Sequence, residues 1–186
     1  MTINKIAQAV FLDRDGVINR RPIAHEYVRS WEEFEFLPGV AEAVRVLKVS
    51  GFLVFVVTNQ RGVATGALTD EALRLLHDRM RAELEAVGSA LDGIFYCPHS
   101  ENKCECRKPR TGLFEQAKAI FPQIEFRESF VVGDSWRDTE AGRRLGCRTI
   151  LIGSTLEVDA VTRADFVARS LLDAVTNYIL RQWSRA

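Results

Sequence analysis

Five short runs of apolar, largely β-branched or aromatic residues recur along the chain, and segments of helical length separate them. The runs lie at residues 9–12, 53–57, 93–96, 130–132 and 149–152. Apolar runs without alternation indicate strands that are covered on both faces, and strands that alternate with helices indicate βα units. The sequence therefore predicts an α/β fold, with a Rossmann-like parallel sheet flanked by helices.

The segments between these runs carry the signals of helices. A stripe of apolar residues at spacings of three and four runs from Leu73 to Val87, after Thr69, a residue type that often caps helices. Another helix is expected to end at Gly51, because glycine commonly follows the last turn. Further helices are predicted at residues 111–120, 136–145 and 171–183. The inserts after the first two runs are short, so we expect no large cap domain.

Length and charge limit the class of protein further. A chain of 186 residues can bury a substantial core without disulfides, so we expect one domain over residues 1–186. The 25 basic and 25 acidic residues balance, which leaves no field to hold a nucleic acid. No apolar run approaches the roughly 18 residues of a membrane-spanning helix, and no signal-peptide pattern opens the chain. We expect a soluble, cytoplasmic monomer without a nucleic-acid or membrane partner.

Acidic residues follow two of the predicted strands at the point where each strand ends. Asp13 and Asp15 come directly after the first run, and Gly16 lets the backbone turn sharply. Asp134 follows the fourth run, and Asp138 lies one helical turn later. Because the carboxyl ends of the strands carry the functional site in an open α/β sheet, these carboxylates are expected to meet there. Taken alone, the first pair could equally be a polar turn.

Other groups suited to phosphate lie beside these carboxylates in the predicted fold. Thr58 follows the second run with a hydroxyl and backbone N–H groups that can bind an anion, and Lys108 supplies a positive charge. One carboxylate can attack phosphorus while a second acts as acid and base. Mg²⁺ would offset the repulsion between an anionic nucleophile and an anionic substrate. The sequence predicts a Mg²⁺-dependent phosphatase that works through an aspartyl-phosphate.

In this order, the residues resemble the four motifs of the haloacid-dehalogenase superfamily of phosphatases. The resemblance extends to about Ile152. It implies that Asp13 is the nucleophile and that Asp15 transfers the proton. It also implies that Thr58 and Lys108 hold the phosphoryl group.

The same resemblance implies where Mg²⁺ binds. Its ligands would be the side chains of Asp13 and Asp134 and the main-chain carbonyl of Asp15. Asp138 is expected to position Lys108 or a metal-bound water.

Three of the four cysteines crowd into ten residues, in the pattern C-x-H-x₄-C-x-C. The pattern brings three thiols and an imidazole into one short loop, from Cys97, His99, Cys104 and Cys106. Such a set forms a closed tetrahedral shell, so we predict one structural Zn²⁺ and no catalytic zinc. A reduced, metal-free cluster, or a disulfide between Cys97 and Cys104 or Cys106, stays an alternative.

The cysteine pattern also indicates a branch of the superfamily. Residues 97–109 resemble, in a short form, the zinc loop of a branch that contains heptose-bisphosphate and histidinol-phosphate phosphatases. Residues 13–19 and 58–66 are similar to the heptose-bisphosphate members. This resemblance implies removal of the C7 phosphate from D-glycero-D-manno-heptose 1,7-bisphosphate. The partner would then be a small phosphorylated sugar, and the reaction would belong to heptose synthesis for lipopolysaccharide or another surface glycan.

Substrate contacts are expected around the catalytic set. A guanidinium can grip a second phosphate with two hydrogen bonds, which makes Arg107 a candidate. The interval from Asn19 to Tyr27 is a few residues longer than is usual in this branch, and it is expected to contact the sugar. The candidate substrate-binding residues are Tyr27, Asn59, Gln60, Arg61 and Arg107.

Three other functions stay open from the sequence. The first is another small-molecule phosphatase, above all of histidinol phosphate. The second is a phospho-receiver, against which Asp15 counts because it can promote hydrolysis of the acyl-phosphate. The third is a zinc-clip interaction module without activity, which does not explain why four phosphate-handling motifs occur together.

Overall fold

A computed structural model describes residues 6–22, 27–153 and 164–183 of the chain. Its centre is a six-stranded, wholly parallel sheet with the order β3-β2-β1-β4-β5-β6. The strands are β1 Ala9–Leu12, β2 Leu53–Asn59, β3 Gly93–Cys97, β4 Phe130–Gly133, β5 Arg148–Ile152 and β6 Phe166–Ala168. The predicted α/β fold with a parallel sheet is therefore confirmed.

Helices lie between the strands and cover the sheet. Those before β5 are α1 Val40–Val49, α2 Asp70–Ala86, α3 Gly112–Ile120 and α4 Trp136–Leu145, with a 3₁₀ turn at Phe126–Glu128. The C-terminal helical segment consists of α5 Leu171–Ala174, a π-helical stretch Val175–Ile179 and α6 Leu180–Trp183. The Thr69 hydroxyl accepts a hydrogen bond from the Ala72 amide and so caps α2, as the sequence predicted.

The sixth strand was missing from the sequence prediction. β6 has only three residues, and it pairs with β5 through Ile150 opposite Phe166. The Asp165 carboxylate accepts hydrogen bonds from the amide and the hydroxyl of Thr149, at 2.7 and 2.8 Å. This long-range contact fixes the register of β6, and so short an apolar run gives no sequence signal of its own.

The core lies on both faces of the sheet. Along β1, Ala9 and Phe11 pack into one buried cluster, whereas Val10 and Leu12 pack into the other. Phe11 stacks on Phe55 with ring centroids 5.5 Å apart. Because the central strands β1 and β4 are buried on both faces, their side chains are apolar without alternation.

β1 occupies the middle of the sheet, between β2 and β4. The carboxyl ends of these three parallel strands lie at the same edge. Asp13 and Asp134 directly follow β1 and β4, and Thr58 is the last residue but one of β2. The fold therefore brings three of the predicted site residues to one edge. Separately, none of the helices in the described ranges is both long and apolar enough to span a bilayer.

Candidate active site

A buried lysine joins two of the predicted carboxylates. The ammonium of Lys108 lies 3.0 Å from Asp13 Oδ1 and 2.5 Å from Asp138 Oδ1, and it donates to the carbonyl oxygen of Val57 at 2.7 Å. Burial alone would lower the pKa of Lys108, but the charges of Asp13 and Asp138 raise it above its ordinary value. Lys108 is therefore a fixed cation at the end of β1.

Asp138 is held from both sides. One carboxylate oxygen contacts Lys108, and the other accepts hydrogen bonds from the amide and the hydroxyl of Ser135 at 3.2 and 2.6 Å. This capping box begins α4. Since both oxygens have partners, the geometry suits Asp138 for positioning Lys108, one of the two roles expected from the sequence.

Asp134 lies beside Asp13 and Asp138, and its ionic partner is an arginine rather than Lys108. Burial, together with the charges of Asp13 and Asp138, raises the pKa of Asp134 to about 8, against the opposing effect of Arg21. Arg21 contacts the Asp134 carboxylate at 3.0 Å but is itself largely exposed. Burial likewise raises the pKa of Asp13 to about 6. The site holds more negative charge than Lys108 and Arg21 offset.

Two glycines allow the carboxylates to approach. Gly16 has a φ of +88°, and a Cβ on it would lie 1.8 Å from Asp134 Oδ2. A Cβ on Gly133 would lie 2.1 Å from the Cβ of Asp138. Any larger residue at either position would displace an acidic side chain, so both glycines belong to the construction of the site.

The remaining acidic residue, Asp15, has a separate set of partners. The guanidinium of Arg14 donates to both of its oxygens, at 2.9 and 3.0 Å. Amide groups of Asn19 and Gln60 add hydrogen bonds at 2.9 and 3.1 Å. Burial opposes ionisation, but Arg14, Asn19 and Gln60 together lower the pKa of Asp15 below its ordinary value. Asp15 is thus held ionised and in one orientation.

The last residues of β2 and the residue that follows them hold the catalytic side chains in place. Thr58 is buried, and its hydroxyl accepts a hydrogen bond from the side chain of Gln60 at 2.9 Å. Asn59 bonds the backbone of Lys108 twice, through the Lys108 carbonyl at 3.1 Å and the Lys108 amide at 3.0 Å. Asn59 and Gln60 were predicted to bind substrate; in the structure the amide group of Asn59 bonds Lys108, and that of Gln60 bonds Asp15 and Thr58.

Tyr27 and Arg61 contact each other, and the charges of Arg107 and Glu101 act on this pair. Arg61 donates to the phenol oxygen of Tyr27 at 3.2 Å, and this hydrogen bond is the main cause of a lowered pKa of Tyr27. The sugar-contacting interval predicted between Asn19 and Tyr27 falls partly on residues 23–26, which lie outside the described residues.

The four predicted zinc ligands are brought together. Their ligand atoms all lie within 4.8 Å of one another. Cys97 Sγ is 3.5 Å from Cys104 Sγ, and His99 Nδ1 is 3.3 Å from Cys106 Sγ. Zn–S and Zn–N bonds of about 2.3 and 2.0 Å in a tetrahedral shell give ligand separations of about 3.5 to 3.8 Å. The residues therefore fit Zn²⁺.

The alternatives for this loop can be compared with the same geometry. All the cysteines are free, so the disulfide considered from the sequence is not formed. Burial disfavours ionisation of the Cys104 thiol, but hydrogen bonds from Cys106 and from nearby backbone amides lower its pKa to about 7. Burial raises the pKa of Cys97 and of Cys106, and the neighbouring thiols add to this effect at Cys106. Cys104 alone of the three thiols ionises near neutral pH, and a bound cation would be needed to hold all three as thiolates, the form that binds metals.

A cationic cavity adjoins the carboxylate site. It has a volume of about 300 Å³ and includes Lys108, Arg107, Arg137, Trp136 and Glu101 in its lining. Arg107 and Arg137 both reach the Glu101 carboxylate, but only at 3.9 and 3.6 Å. The buried Nη1 of Arg107 has no hydrogen-bond partner among the described residues. The cavity is thus suited to an anion that is larger than the Glu101 carboxylate or lies closer to Arg107 and Arg137 than that carboxylate does.

The carboxylates also fit Mg²⁺. Asp13, Asp134 and Asp138 each offer an oxygen within 4.8 Å of the others. Both oxygens of Asp138 are bonded to buried or local partners, Lys108 and Ser135, whereas Asp13 contacts Lys108 through Oδ1 and Asp134 contacts the largely exposed Arg21. Asp13 and Asp134 are therefore the better candidates to hold a cation. An Mg²⁺ ion bound there would neutralise excess negative charge and offer its charge to a phosphate.

Several residues at the site were not found from the sequence. Arg14, Asn19, Arg21 and Ser135 all bond a predicted acidic residue. Arg14 and Asn19 lie within the segment 13–19 singled out from the sequence, but their side-chain partners depend on the turn after β1.

Comparison with known proteins agrees with this geometry. Residues 105–174 match the HAD-hydrolase-like family model. The chain is 38% identical to a D-glycero-beta-D-manno-heptose-1,7-bisphosphate 7-phosphatase of Haemophilus ducreyi, over 90% of this chain and 96% of that protein. It is 39% identical to a D-glycero-alpha-D-manno-heptose-1,7-bisphosphate 7-phosphatase of Mycobacterium tuberculosis, over 77% and 78%.

A solved structure gives the same result. The D,D-heptose 1,7-bisphosphate phosphatase from B. bronchiseptica, complexed with magnesium and phosphate, superposes with a TM-score of 0.82 at 29% identity. The match covers 96% of this chain and 99% of that one.

Proposed function

The chain belongs to the haloacid-dehalogenase-like hydrolases, in the family of the heptose-bisphosphate phosphatases, and on that premise we propose that it removes the C7 phosphate of D-glycero-D-manno-heptose 1,7-bisphosphate. It is a phosphoric monoester hydrolase. The observation that carries the proposal is the cluster of Asp13, Asp134 and Asp138 beyond the ends of β1 and β4, with the buried Lys108 between Asp13 and Asp138. The whole of residues 1–186 would serve as one catalytic domain.

The first half-reaction uses Asp13 and Asp15. A carboxylate oxygen of Asp13 attacks phosphorus, and the bond from phosphorus to the sugar oxygen breaks. The carboxyl of Asp15 donates a proton to that leaving oxygen. The pKa of Asp15 is low without substrate, and the negative charge of a bound phosphate dianion raises this pKa.

The second half-reaction reverses the role of Asp15. Its carboxylate takes a proton from water, the water oxygen attacks the phosphorus of the aspartyl-phosphate, and the bond to Asp13 breaks. Inorganic phosphate leaves. Lys108 and Thr58 hold the phosphoryl oxygens through both steps, and Asp138 keeps Lys108 in place.

We assign Mg²⁺ to Asp13, Asp134 and the main-chain carbonyl of Asp15, and Zn²⁺ to the four-residue cysteine loop. The zinc set is closed, so its role is to order the loop that ends in Arg107 and Lys108.

The cationic cavity supports a substrate with a second phosphate. Arg107 and Arg137 lack a strong acceptor there, and a phosphate would supply one with bidentate geometry. Tyr27 and Arg61 would contact the sugar. The same cavity disfavours histidinol phosphate, the other candidate from the sequence, because that leaving group carries a positive amine.

A panel of phosphate esters assayed for released phosphate tests the substrate. The panel holds both C1 anomers of the heptose bisphosphate, histidinol phosphate and an aryl phosphate, each with Mg²⁺. We expect the highest kcat/KM for a heptose bisphosphate. A higher value for histidinol phosphate would overturn the substrate assignment, and no turnover of any ester would overturn the reaction.

A further inference from the structure

A histidine far from the carboxylates in sequence contacts the group that orients Asp15. His77 lies on α2, and its Nε2 is 3.1 Å from Nη1 of Arg14. The two residues are 63 positions apart. Both are buried, with Arg14 at 0% and His77 at 3% exposure.

Chemistry decides which partner donates. A guanidinium has five N–H donors and no acceptor, so Nε2 of His77 must accept. The imidazole is therefore neutral, with its proton on Nδ1. Burial and the charge of Arg14 lower the pKa of His77 to about 3, which agrees with a neutral ring. Nδ1 has no hydrogen-bond partner among the described residues. The hydrogen bond between Nε2 and Arg14 therefore decides which ring nitrogen carries the proton.

The rest of the guanidinium is devoted to Asp15. Nε and Nη2 of Arg14 donate to Asp15 at 3.1, 2.9 and 3.0 Å. A planar guanidinium bonded on one edge by a carboxylate can still rock about that edge, and a bond from Nη1 stops this movement. The ring of His77 is itself held edge-on by Tyr96, with centroids 5.4 Å apart.

We propose that His77 is a positioning residue for the phosphatase reaction: by accepting a hydrogen bond from Arg14 it fixes the guanidinium that aims the Asp15 carboxyl at the leaving oxygen. This rests on the proposed function, in which Asp15 protonates that oxygen. A histidine that merely filled the core would be replaceable by an apolar side chain of similar size, whereas this role requires an acceptor at the position of Nε2.

Kinetics separates the two roles. We compare His77→Leu, which removes the acceptor, with His77→Gln, which can place a carbonyl oxygen near Nε2. Tyr96→Phe is the packing control, because it keeps the ring against His77 and removes only the hydroxyl that donates to Asp70 at 2.8 Å. Each is assayed with the best sugar phosphate of the panel and with 4-nitrophenyl phosphate, whose leaving group hardly needs a proton.

For His77→Leu we expect kcat/KM on the sugar phosphate to fall about tenfold more than kcat/KM on the aryl phosphate, because a small misplacement of a reacting group can cost up to about 100-fold. The ratio kcat/KM is compared because it reports the steps up to formation of the aspartyl-phosphate, whereas hydrolysis of that intermediate also uses Asp15 and is common to both esters. His77→Gln should recover most of the difference, and Tyr96→Phe should affect both esters alike. Equal losses on both esters for His77→Leu, or full activity with Leu and not with Gln, would overturn the proposal.

A spectroscopic measurement on the wild-type protein tests the tautomer directly, and a variant is needed only to assign the signal. The chain has three histidines, so ¹H–¹⁵N spectra of histidine-labelled, Mg²⁺-loaded protein contain few imidazole signals, and His77→Gln assigns one set. We expect His77 to be protonated on Nδ1 and bare on Nε2. A proton on Nε2, or a charged ring, would overturn the proposal. Since the spectrum is independent of turnover, a failure here differs from a failure of the proposed function, which would appear as a wild type inactive on every ester.

Discussion

The carboxylate site and the cysteine loop are both built to hold a metal, but they are assembled in opposite ways. Asp13 and Asp134 directly follow the buried strands β1 and β4, and the buried Lys108 reaches Asp13 from the segment between β3 and α3. Cys104 and Cys106 lie on a loop with turns and bends and without regular secondary structure. A site built on a sheet edge exists before its ion arrives, whereas a loop with so few apolar residues depends on its ion for order.

The link between the two regions is a single stretch of backbone. Cys106 belongs to the zinc set, Arg107 lines the cationic cavity, and Lys108 joins Asp13 to Asp138. Lys108 is also tied to β2 by Asn59. The comparison therefore predicts that loss of zinc displaces Arg107 in the cavity lining more than it displaces Lys108 at the catalytic centre.

The largest effect should come from Asp13→Asn. The amide keeps the shape but loses the nucleophile and one proposed Mg²⁺ ligand, so kcat should fall by about 10⁴-fold or more. The fold and the zinc content, measured by circular dichroism and elemental analysis, should not change. A kcat within about tenfold of wild type would contradict the nucleophile assignment.

Breaking the cysteine loop should cost less. Cys106→Ser removes a zinc ligand, and we expect kcat/KM to fall about 10- to 100-fold, as for groups that orient others at a metal or catalytic centre. Elemental analysis of protein purified without added metal should find close to one zinc per wild-type chain and less in the variant. The Mg²⁺ concentration for half-maximal activity should stay the same.

Cys147→Ala is the matched control for that experiment. Cys147 is buried outside the cluster, and burial raises its pKa to about 12, so it should neither bind zinc nor affect the loop. A metal-free wild type with full activity would refute a structural zinc.

Arg107→Ala tests whether the cationic cavity binds the second phosphate of the substrate. Loss of a bidentate guanidinium should raise KM for the heptose bisphosphate about tenfold, with little change for an aryl phosphate that has no second anion. Arg143→Ala is the control, because Arg143 lies on α4 in an ion pair with Glu140, away from the cavity lining. Equal effects of Arg107→Ala on both substrates would count against recognition of a second phosphate.

The smallest effect concerns pH. In the metal-free protein the pKa values of Asp13 and Asp134, about 6 and about 8, lie above the 3.8 of an ordinary aspartate. The folded state then binds more protons than the unfolded state, so these groups stabilise the fold most below about pH 4, and this is lost as pH rises through 6 and 8. We expect Tm of metal-free protein to fall by a few degrees between pH 6 and 8.5.

Two variants locate that pH dependence in one region. Asp134→Asn should flatten the change in Tm, and Mg²⁺ should oppose it, because the ion competes with protons for the carboxylates. Cys106→Ser should leave the slope as in wild type. The same slope in Asp134→Asn would show that the carboxylate cluster is not its source.

Much of this molecule could be predicted from local sequence pattern. Uninterrupted apolar runs marked five of the six strands, because a strand covered on both faces needs apolar residues at every position. Asp13, Thr58 and Asp134 could be placed together, because each directly follows such a run and parallel strands end at one edge. The spacing of Cys97, His99, Cys104 and Cys106 likewise carries its meaning within ten residues.

Only the tertiary structure decided which polar groups are used for support and which face an open cavity. Asn59 suited a substrate contact by its position, yet its amide binds the Lys108 backbone, 49 residues away. The contact of His77 with Arg14, and the pairing of β6 through Asp165 and Thr149, have no sequence signal either. The physical reason is the same in each case: periodicity records which face of an element is buried, whereas a hydrogen bond between distant residues depends on how the packed elements meet.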